Sequence, residues 1–339
     1  MKGKNMEKVP GGIKHYLDWL RKQTDINFTR WSVKKIAFVG VLIAISVVFF
    51  IISVRILPIN ALPSFKFSFI GLPVKITGFI FGPFIGAITG ILADLISFAL
   101  VPTYYNFLYT LAVATAGIIP GLIAWYFFNL GGILFSYRYK KYKLKAIIDY
   151  YNNLQKIAIN EADFDQAQIL SEKIGYYEVK LILIESKAKP TELINFAFIS
   201  TVTLLLLQVL IIISILSFIP ETVFTNNRFI KSKWFYMVIT TSGFATMALG
   251  VVIYRIFLRR KYQRFIEIMA AISFCALLEF INVVLLSLGD TLSLKTDFWV
   301  NITGHTLLSP VKIWFNLIVI YTAYRIIKPL ISKKSVAGY

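Results

Sequence analysis

The sequence predicts an all-α integral membrane protein with about eight membrane-spanning helices. The first observation is composition, because 57% of the 339 residues are hydrophobic and the mean hydropathy is +0.70. The second is that several apolar runs reach the roughly 20 residues that a helix needs to cross a bilayer. The third is the formal net charge of +19. The basic residues cluster beside apolar runs, which is typical of cytoplasmic loops. Nucleic acid is not an expected partner, since no basic–aromatic binding module is present.

The first 130 residues predict four spans. Residues 1–35 form a basic segment, which we place in the cytoplasm, and residues 36–57 follow as a retained signal-anchor span. The next three spans are predicted at 67–81, 84–100 and 107–128 within the unit 36–130, with Gly82-Pro83 as an inner turn. Pro73 and Lys75 interrupt the short second span. We therefore expect this span to be bent or to line a wet cavity.

The middle of the chain changes character. Basic residues open the segment 137–190, and apolar residues then recur at i, i+3, i+4 and i+7 on both sides of a break at 160–163. This pattern predicts a cytoplasmic helical hairpin. Apolar runs at 195–219 and 234–257 predict an extra pair of transmembrane helices within 194–258.

The C-terminal part predicts the last two spans, at 265–288 and 306–327 within 265–329, with residues 289–298 outside. Basic residues flank the final span, so the tail 330–339 is predicted to be cytoplasmic, like the N-terminus.

The residues carry no signature of catalysis or of a bound metal. There is no GxxxxGK[ST] phosphate loop, and no Ser/His/Asp arrangement has the context of a known motif. The single cysteine, Cys275, and the two histidines, His15 and His305, do not form a metal-binding cluster. The sequence therefore predicts neither an enzyme nor a cofactor, and any ATP hydrolysis that drives the protein belongs to a partner.

Small residues recur every four positions in two of the predicted spans. Gly40 and Ala44 lie on the first span, and Gly82, Gly86 and Gly90 run down the third. In lipid, this spacing lets two helix backbones approach closely. The spacing fits an interface with a partner protein, and it fits packing within the chain equally well.

Several polar residues are candidates for a small-molecule site. Asp94 lies inside a span, where an ionisable group is costly unless it faces a cavity or a partner, and both ligand contact and a structural hydrogen bond fit it. Lys312 could neutralise a ligand carboxylate, and Asn316 lies one turn further along the same helix face. Glu279 and Asn282 fit a pocket or packing equally. The other candidates lie in predicted outer loops or near the membrane interface: Lys66, Thr103, Tyr104, Tyr105, Asn106, Trp299, Asn301 and His305. An alternative role for Lys66 is to extend its ammonium group to the lipid headgroups. An alternative role for the aromatic residues is to anchor the helices at the interface.

Part of the sequence resembles a known family. The stretch FSFIGLPVKITGFIFGPFIGAITGILADLISFALVPTYYN, from Phe67, resembles the substrate-binding S components of energy-coupling factor (ECF) vitamin transporters, and most of all their folate group. The segments LKTDFW at 294–299 and SPVKIWFN at 309–316 resemble that group's L-x-T-x-W and P-x-R-x-x-K-N stretches. Lys312 stands where the family usually has Arg, Phe315 where it has Lys, and Lys66 where it often has Arg. Because Arg binds carboxylates bidentately and Lys does not, pantothenate and riboflavin remain alternatives to folate.

The resemblance covers 34–128 and about 265–329, and it implies a six-helix core into which the hairpin and the extra helix pair are inserted. It implies a binding subunit without enzymatic activity that captures a vitamin from outside. It also implies association with an ECF transmembrane coupling subunit and two cytoplasmic ATPases, with the small-residue motifs meeting the coupling subunit. From other classes, a membrane scaffold that recruits a partner through the hairpin and a stand-alone secondary transporter are the alternatives.

Overall fold

The protein is described here from a computed structural model, which covers residues 33–56, 63–101, 106–131, 138–186, 191–225, 232–258 and 261–332. Within these ranges the regular structure is helical, and they contain no strand. The helices are α1 (Val33–Ile56), α2 (Pro63–Phe81), α3 (Pro83–Leu100), α4 (Phe107–Ala124), α5 (Arg138–Asn160), α6 (Phe164–Ser186), α7 (Thr191–Phe218), α8 (Glu221–Thr225), α9 (Lys233–Phe257), α10 (Tyr262–Leu294), α11 (Phe298–Leu307) and α12 (Ser309–Ser332). Helix α4 continues as a π-helical segment, Trp125–Leu130.

Seven helices of the described ranges are long and apolar enough to cross a bilayer: α1, α3, α4 with its π-helical extension, α7, α9, α10 and α12. The chain is therefore an all-α, multi-pass membrane protein. The predicted second span corresponds to α2, whose apolar stretch, Gly71–Phe81, is shorter than the others. The count of eight spans stays a prediction.

The described chain divides into two compact units. One lies within Phe128–Phe196 and contains the hairpin of α5 and α6. The other is formed by Arg30–Phe127 together with Ala197–Tyr339 and contains the candidate binding residues. We call the first the hairpin unit and the second the bundle unit.

The bundle unit is built around α4, which packs against α2, α3 and α10. This close packing depends on small residues, because a Cβ atom added to Gly78 would lie 1.9 Å from the carbonyl oxygen of Gly117, and one added to Gly86 would lie 2.4 Å from the same atom. The turn between α2 and α3 is made by Gly82, at φ +99°, followed by Pro83 in the first turn of α3. A positive φ favours glycine, and proline suits a helix start.

The end of α10 differs from the prediction of an outer loop at 289–298. Helix α10 continues to Leu294 and ends where Lys295 adopts a left-handed conformation. Gly289 lies inside the helix and does not terminate it. It packs against the ring of Tyr109, where an added Cβ would come within 2.8 Å of Cε1. A close packing contact, and not a turn, therefore accounts for this glycine.

The predicted last span, 306–327, begins three residues before the observed helix α12, Ser309–Ser332. Residues 298–307 form the separate helix α11, whose start is capped by Asp297, which accepts hydrogen bonds from the amides of Trp299 and Val300. Helix α12 then begins at Ser309, and Pro310 stands in its first turn. Proline has no N–H and cannot continue the hydrogen bonds of a preceding helix, which explains the break.

The hairpin unit has the two predicted helices and the predicted break. Its core contains Ala158, Ala167 and Leu170, and the rings of Tyr151 and Tyr177 stack with centroids 5.7 Å apart. Helix α6 leaves large apolar side chains exposed along its length: Phe164, Ile169, Tyr176, Val179, Ile182 and Leu183.

Candidate functional site

The bundle unit buries charged side chains in its interior. Lys75 on α2 is 2% exposed, Glu279 on α10 is 6% exposed and Lys312 on α12 is 5% exposed. These three residues lie within electrostatic range of one another, and we call them the buried charge cluster. Intramembrane ionisable residues are expensive to bury and commonly mark substrate or ion sites. The cluster is therefore the first candidate for a functional site.

Glu279 and Lys312 form a tight ion pair, in which Lys312 Nζ lies 2.6 Å from Glu279 Oε1. The same oxygen accepts a hydrogen bond from Ser309 Oγ at 2.7 Å. Lys312 also donates to the carbonyl oxygen of His305 at 3.3 Å. Ser309 and Lys312 are neighbours on one face of α12, since residues three apart lie side by side on a helix.

Lys75 has a different environment. Its ammonium group donates to Oδ1 of Asn316 at 3.1 Å, and no carboxylate of the described residues lies within ion-pair distance of it. Lys75 and Asn316 are separated by 241 positions in the sequence. Their contact is made by the packing of α2 against α12.

A second buried pair lies on the same face of α10, further toward its C-terminal end. His305 Nε2 lies 2.8 Å from Asp290 Oδ2, and the hydroxyl of Tyr109 donates to Asp290 Oδ1 at 2.7 Å. Asp290 is three turns beyond Glu279 along α10, so the two carboxylates lie about 16 Å apart along the helix axis. Asp290 thus connects α4, α10 and α11.

Polar side chains also join the helices at the C-terminal end of α10. Asn106 donates to Ser293 Oγ at 3.0 Å and caps α4 by accepting from the amide of Leu108. Asn301 donates to Thr291 Oγ1 at 3.0 Å and to Thr296 Oγ1 at 2.8 Å. These bonds fix the position of α11 against α10.

Two spaces adjoin α11. A groove of about 500 Å³ is lined by Pro220, Thr222, Val223, Asp297, Trp299, Val300 and Thr303. An inner cavity of about 30 Å³ is lined mainly by apolar side chains of α7, α9 and α10, together with Glu279, Thr306 and Ser309. The groove is within the size range of small-molecule sites, whereas the cavity has room for about one or two water molecules.

Tyr236 of α9 stands between the groove and the cavity. Its buried hydroxyl bonds to the carbonyl oxygen of Thr303, which lines the groove, and to Oγ1 of Thr306, which lines the cavity. Thr303 and Thr306 are three residues apart on α11, and Trp299 lies one turn before Thr303, so all three share one face of that helix. A row of residues therefore runs from the groove, past Tyr236, to Glu279 and the buried charge cluster.

The predicted site residues fall into several groups. Lys312 belongs to the buried charge cluster, and Asn316 contacts it through Lys75. Asn106, Asn301 and His305 form hydrogen bonds with the C-terminal half of α10. Trp299 lines the groove. Asp94 is separate from these, and it accepts a hydrogen bond of 2.6 Å from Thr110. Thr103, Tyr104, Tyr105 and the side chain of Lys66 lie outside the described part of the structure.

The predicted partner-interface residues also separate. Gly86 and Gly90 are buried against Gly117 and Val113 of α4, so their close contacts are made inside this chain. A Cβ at Gly82 would meet nothing within 4 Å, but its φ of +99° already requires glycine. Gly40 and Ala44 are exposed on α1, and a Cβ at Gly40 would likewise meet nothing. Only the α1 pair thus presents an open small-residue surface among these described positions.

Sequence reasoning did not select Lys75, Asp290 or Tyr109 as site residues. From the sequence, Lys75 is interpreted as an interruption of the second span, although a lysine in an apolar run is itself a signal of a functional position. Asp290 falls in the predicted outer loop 289–298, whereas the structure places it in α10. No pattern in the sequence links Tyr109 to Asp290, since their contact depends on the packing of α4 against α10.

No protein-family model, no curated protein and no solved structure matches this chain. Within the described residues, no group of His, Cys, Asp and Glu side chains has an arrangement that could hold a metal ion.

Proposed function

We propose that the chain is the substrate-binding membrane subunit of an ECF-type transporter that imports a vitamin, with folate or a related pterin as the favoured ligand. The observation that carries this proposal is the buried charge cluster, which places two ammonium groups and one carboxylate inside a bundle of apolar helices. An excess of buried positive charge suits an anionic ligand, since an uncompensated buried charge is unfavourable. The motifs at 67–106 and 294–316 supply the link to the family.

The groove and the inner cavity support a route for the ligand. A pterin-sized molecule fits a groove of about 500 Å³, where the indole of Trp299 offers a flat surface for stacking. The inner cavity is too small for a vitamin, so full binding requires the side chains around Tyr236 to move. In this proposal the groove is the first contact, and the buried charge cluster receives the anionic end of the ligand.

In this proposal, α1–α4, α10 and α12 form the six-helix core, while the hairpin unit and helices α7 and α9 are insertions. The subunit has no enzymatic activity, and ATP hydrolysis occurs in two cytoplasmic ATPases joined through a transmembrane coupling subunit. The exposed Gly40 and Ala44 on α1 are the proposed contact with that coupling subunit, because small residues allow close helix approach in lipid. Both termini are proposed to be cytoplasmic. Pantothenate and riboflavin are the alternative ligands.

A second candidate is a membrane scaffold that recruits a soluble partner through the hairpin unit. The exposed apolar side chains of α6 favour it, because contiguous exposed apolar surface commonly marks a protein-interaction site. Ile169, Tyr176, Val179 and Leu183 follow a heptad-like spacing along that helix, which is typical of a face that packs against another helix.

The test is ligand binding by the isolated, detergent-purified protein, measured by calorimetry with folates, flavins, pantothenate, thiamine and nicotinate. The proposal predicts micromolar or tighter binding of a folate or pterin. Binding of a different vitamin would keep the class of function and change the ligand. If no compound binds, the importer proposal fails and the scaffold candidate takes its place.

A further inference from the structure

The buried charge cluster is unbalanced in charge. Lys75 and Lys312 carry two ammonium groups and Glu279 carries one carboxylate, which leaves one formal positive charge. All three side chains are almost completely removed from solvent. A buried charge is normally paired with an opposite charge. Because the cluster has two ammonium groups and one carboxylate, one of its positive charges has no anion among the described residues.

Lys312 is not the ammonium group that lacks an anion. Glu279 lies 2.6 Å from its Nζ, and the carbonyl oxygen of His305 takes a further N–H. Glu279 is held in this place by Ser309, which donates to the same carboxylate oxygen. A ligand carboxylate at Lys312 would have to displace an internal carboxylate that is already bound and hydrogen-bonded.

Lys75 is the ammonium group with unused N–H donors. A lysine ammonium has three N–H donors, and Lys75 uses one of them, to the neutral amide of Asn316. Because an ammonium group cannot accept a hydrogen bond, the Asn316 oxygen must face Lys75 and its NH₂ group must point elsewhere. That NH₂ group makes no hydrogen bond with the described residues. Lys75 and Asn316 together therefore present N–H donors from two adjacent groups.

We propose that Lys75 and Asn316 form a binding site for a single carboxylate group, with Glu279 acting as the permanent counter-ion of Lys312. A carboxylate would accept the unused N–H groups of the Lys75 ammonium, with the Asn316 amide beside it as a further donor, and charge-assisted hydrogen bonds are the strong ones. The substrate class that follows is a small molecule with one carboxylate at its buried end. In a ligand such as folate, whose glutamate end carries two carboxylates, one of them would occupy this site and the other would lie away from Glu279. This inference rests on the proposed function only in that the bundle binds a small molecule.

The experiment compares carboxylates with their uncharged counterparts on the full-length protein in detergent. The probes are benzoate and benzamide, nicotinate and nicotinamide, and pterin-6-carboxylate and pterin, with binding measured by calorimetry and by thermal shift. We expect at least one carboxylate to bind the unmodified protein about tenfold or more tightly than its neutral counterpart. If the members of every pair bind equally, or if no carboxylate binds, the inference is overturned.

Two substitutions locate the effect. Lys75→Met should remove the preference for carboxylates, whereas the matched control Lys328→Met should keep it, because Lys328 is half exposed and already paired with Glu267. Asn316→Asp places a carboxylate opposite Lys75 and should also abolish the preference while raising thermal stability. This second variant keeps the test valid if Lys75→Met fails to fold. If Lys75→Met or Asn316→Asp kept the preference for carboxylates, the inference would be contradicted.

The outcomes separate this inference from the vitamin proposal. If benzoate or nicotinate binds through Lys75 and no folate or pterin binds, the carboxylate site stands and the folate assignment falls. If an uncharged vitamin binds while carboxylates do not, the importer proposal stands and the carboxylate site falls.

Discussion

Removing the carboxylate of Glu279 while Lys312 stays in place is expected to destabilise the folded protein by about 3–5 kcal/mol. In Glu279→Met, the Lys312 ammonium loses its partner at 2.6 Å and is left buried with the His305 carbonyl as its remaining acceptor. Lys312→Met leaves the Glu279 carboxylate buried with one hydrogen bond, from Ser309. The reciprocal single substitution is also expected to destabilise the protein, but by less, because Lys75 remains within electrostatic range of Glu279.

The double variant Glu279→Met with Lys312→Met should recover most of that loss. It removes both charges, and the replacement of a buried ion pair by apolar residues is commonly neutral or stabilising. Ser309 keeps the carbonyl oxygen of His305 as an acceptor at 3.4 Å. We expect the double variant to lie within about 1 kcal/mol of the unmodified protein, so its loss should be far below the sum of the two single losses.

The single cysteine offers the assay. Cys275 is 3% exposed and lies one turn before Glu279 on α10, so a thiol-reactive fluorophore labels it when the bundle unit opens. The labelling midpoint, measured against temperature or denaturing detergent, ranks the variants. If the two single substitutions and the double substitution lowered stability additively, the ion pair would not be coupled, and the interpretation of the cluster would be wrong.

Further predictions test the packing, the groove, the partner surface and the hairpin. Gly117→Ala places a Cβ 2.1 Å from the carbonyl oxygen of Gly86 and should lower stability by about 1–3 kcal/mol; an unchanged Cys275 labelling midpoint would refute this packing. Gly40→Leu fills open space and should leave stability within about 0.5 kcal/mol while weakening capture of a coupling subunit in pull-downs; undiminished capture would exclude α1 as the contact. Tyr236→Phe removes the hydrogen bonds between groove and cavity and should speed ligand association severalfold in stopped-flow measurements; an unchanged rate would argue against that route. Deleting residues 137–190 should abolish partner recruitment but spare vitamin uptake if the hairpin only recruits; loss of both would contradict separate roles.

The helices were predictable because each depends on a local pattern. Apolar runs located the membrane-type helices, and the 3.6-residue spacing together with the break at 160–163 located α5 and α6. The turn at Gly82-Pro83 also followed from local chemistry, since φ at Gly82 is positive. Errors arose where one residue type has two uses. The sequence predicts a loop at 289–298, but Gly289 lies within α10, where the Tyr109 ring packs against it.

The site was only partly predictable. Lys312 and Asn316 could be paired from their spacing of one turn, and both are buried in the bundle unit. The partners that define their roles, Lys75 and Glu279, come from other helices, and a contact across 241 positions leaves no trace in a single sequence. The small-residue spacing could not distinguish packing within the chain from a partner surface. The structure shows packing within the chain for Gly86, which lies against Gly117, whereas a Cβ at Gly40 would meet none of the described residues.

The most direct test of vitamin binding is to purify the protein in detergent, denature it and identify any released small molecule by mass spectrometry. The proposal predicts a folate or another pterin in near-stoichiometric amount, carrying a carboxylate that would meet Lys75. A protein that releases no vitamin, binds none on titration and captures no coupling subunit would contradict the proposal.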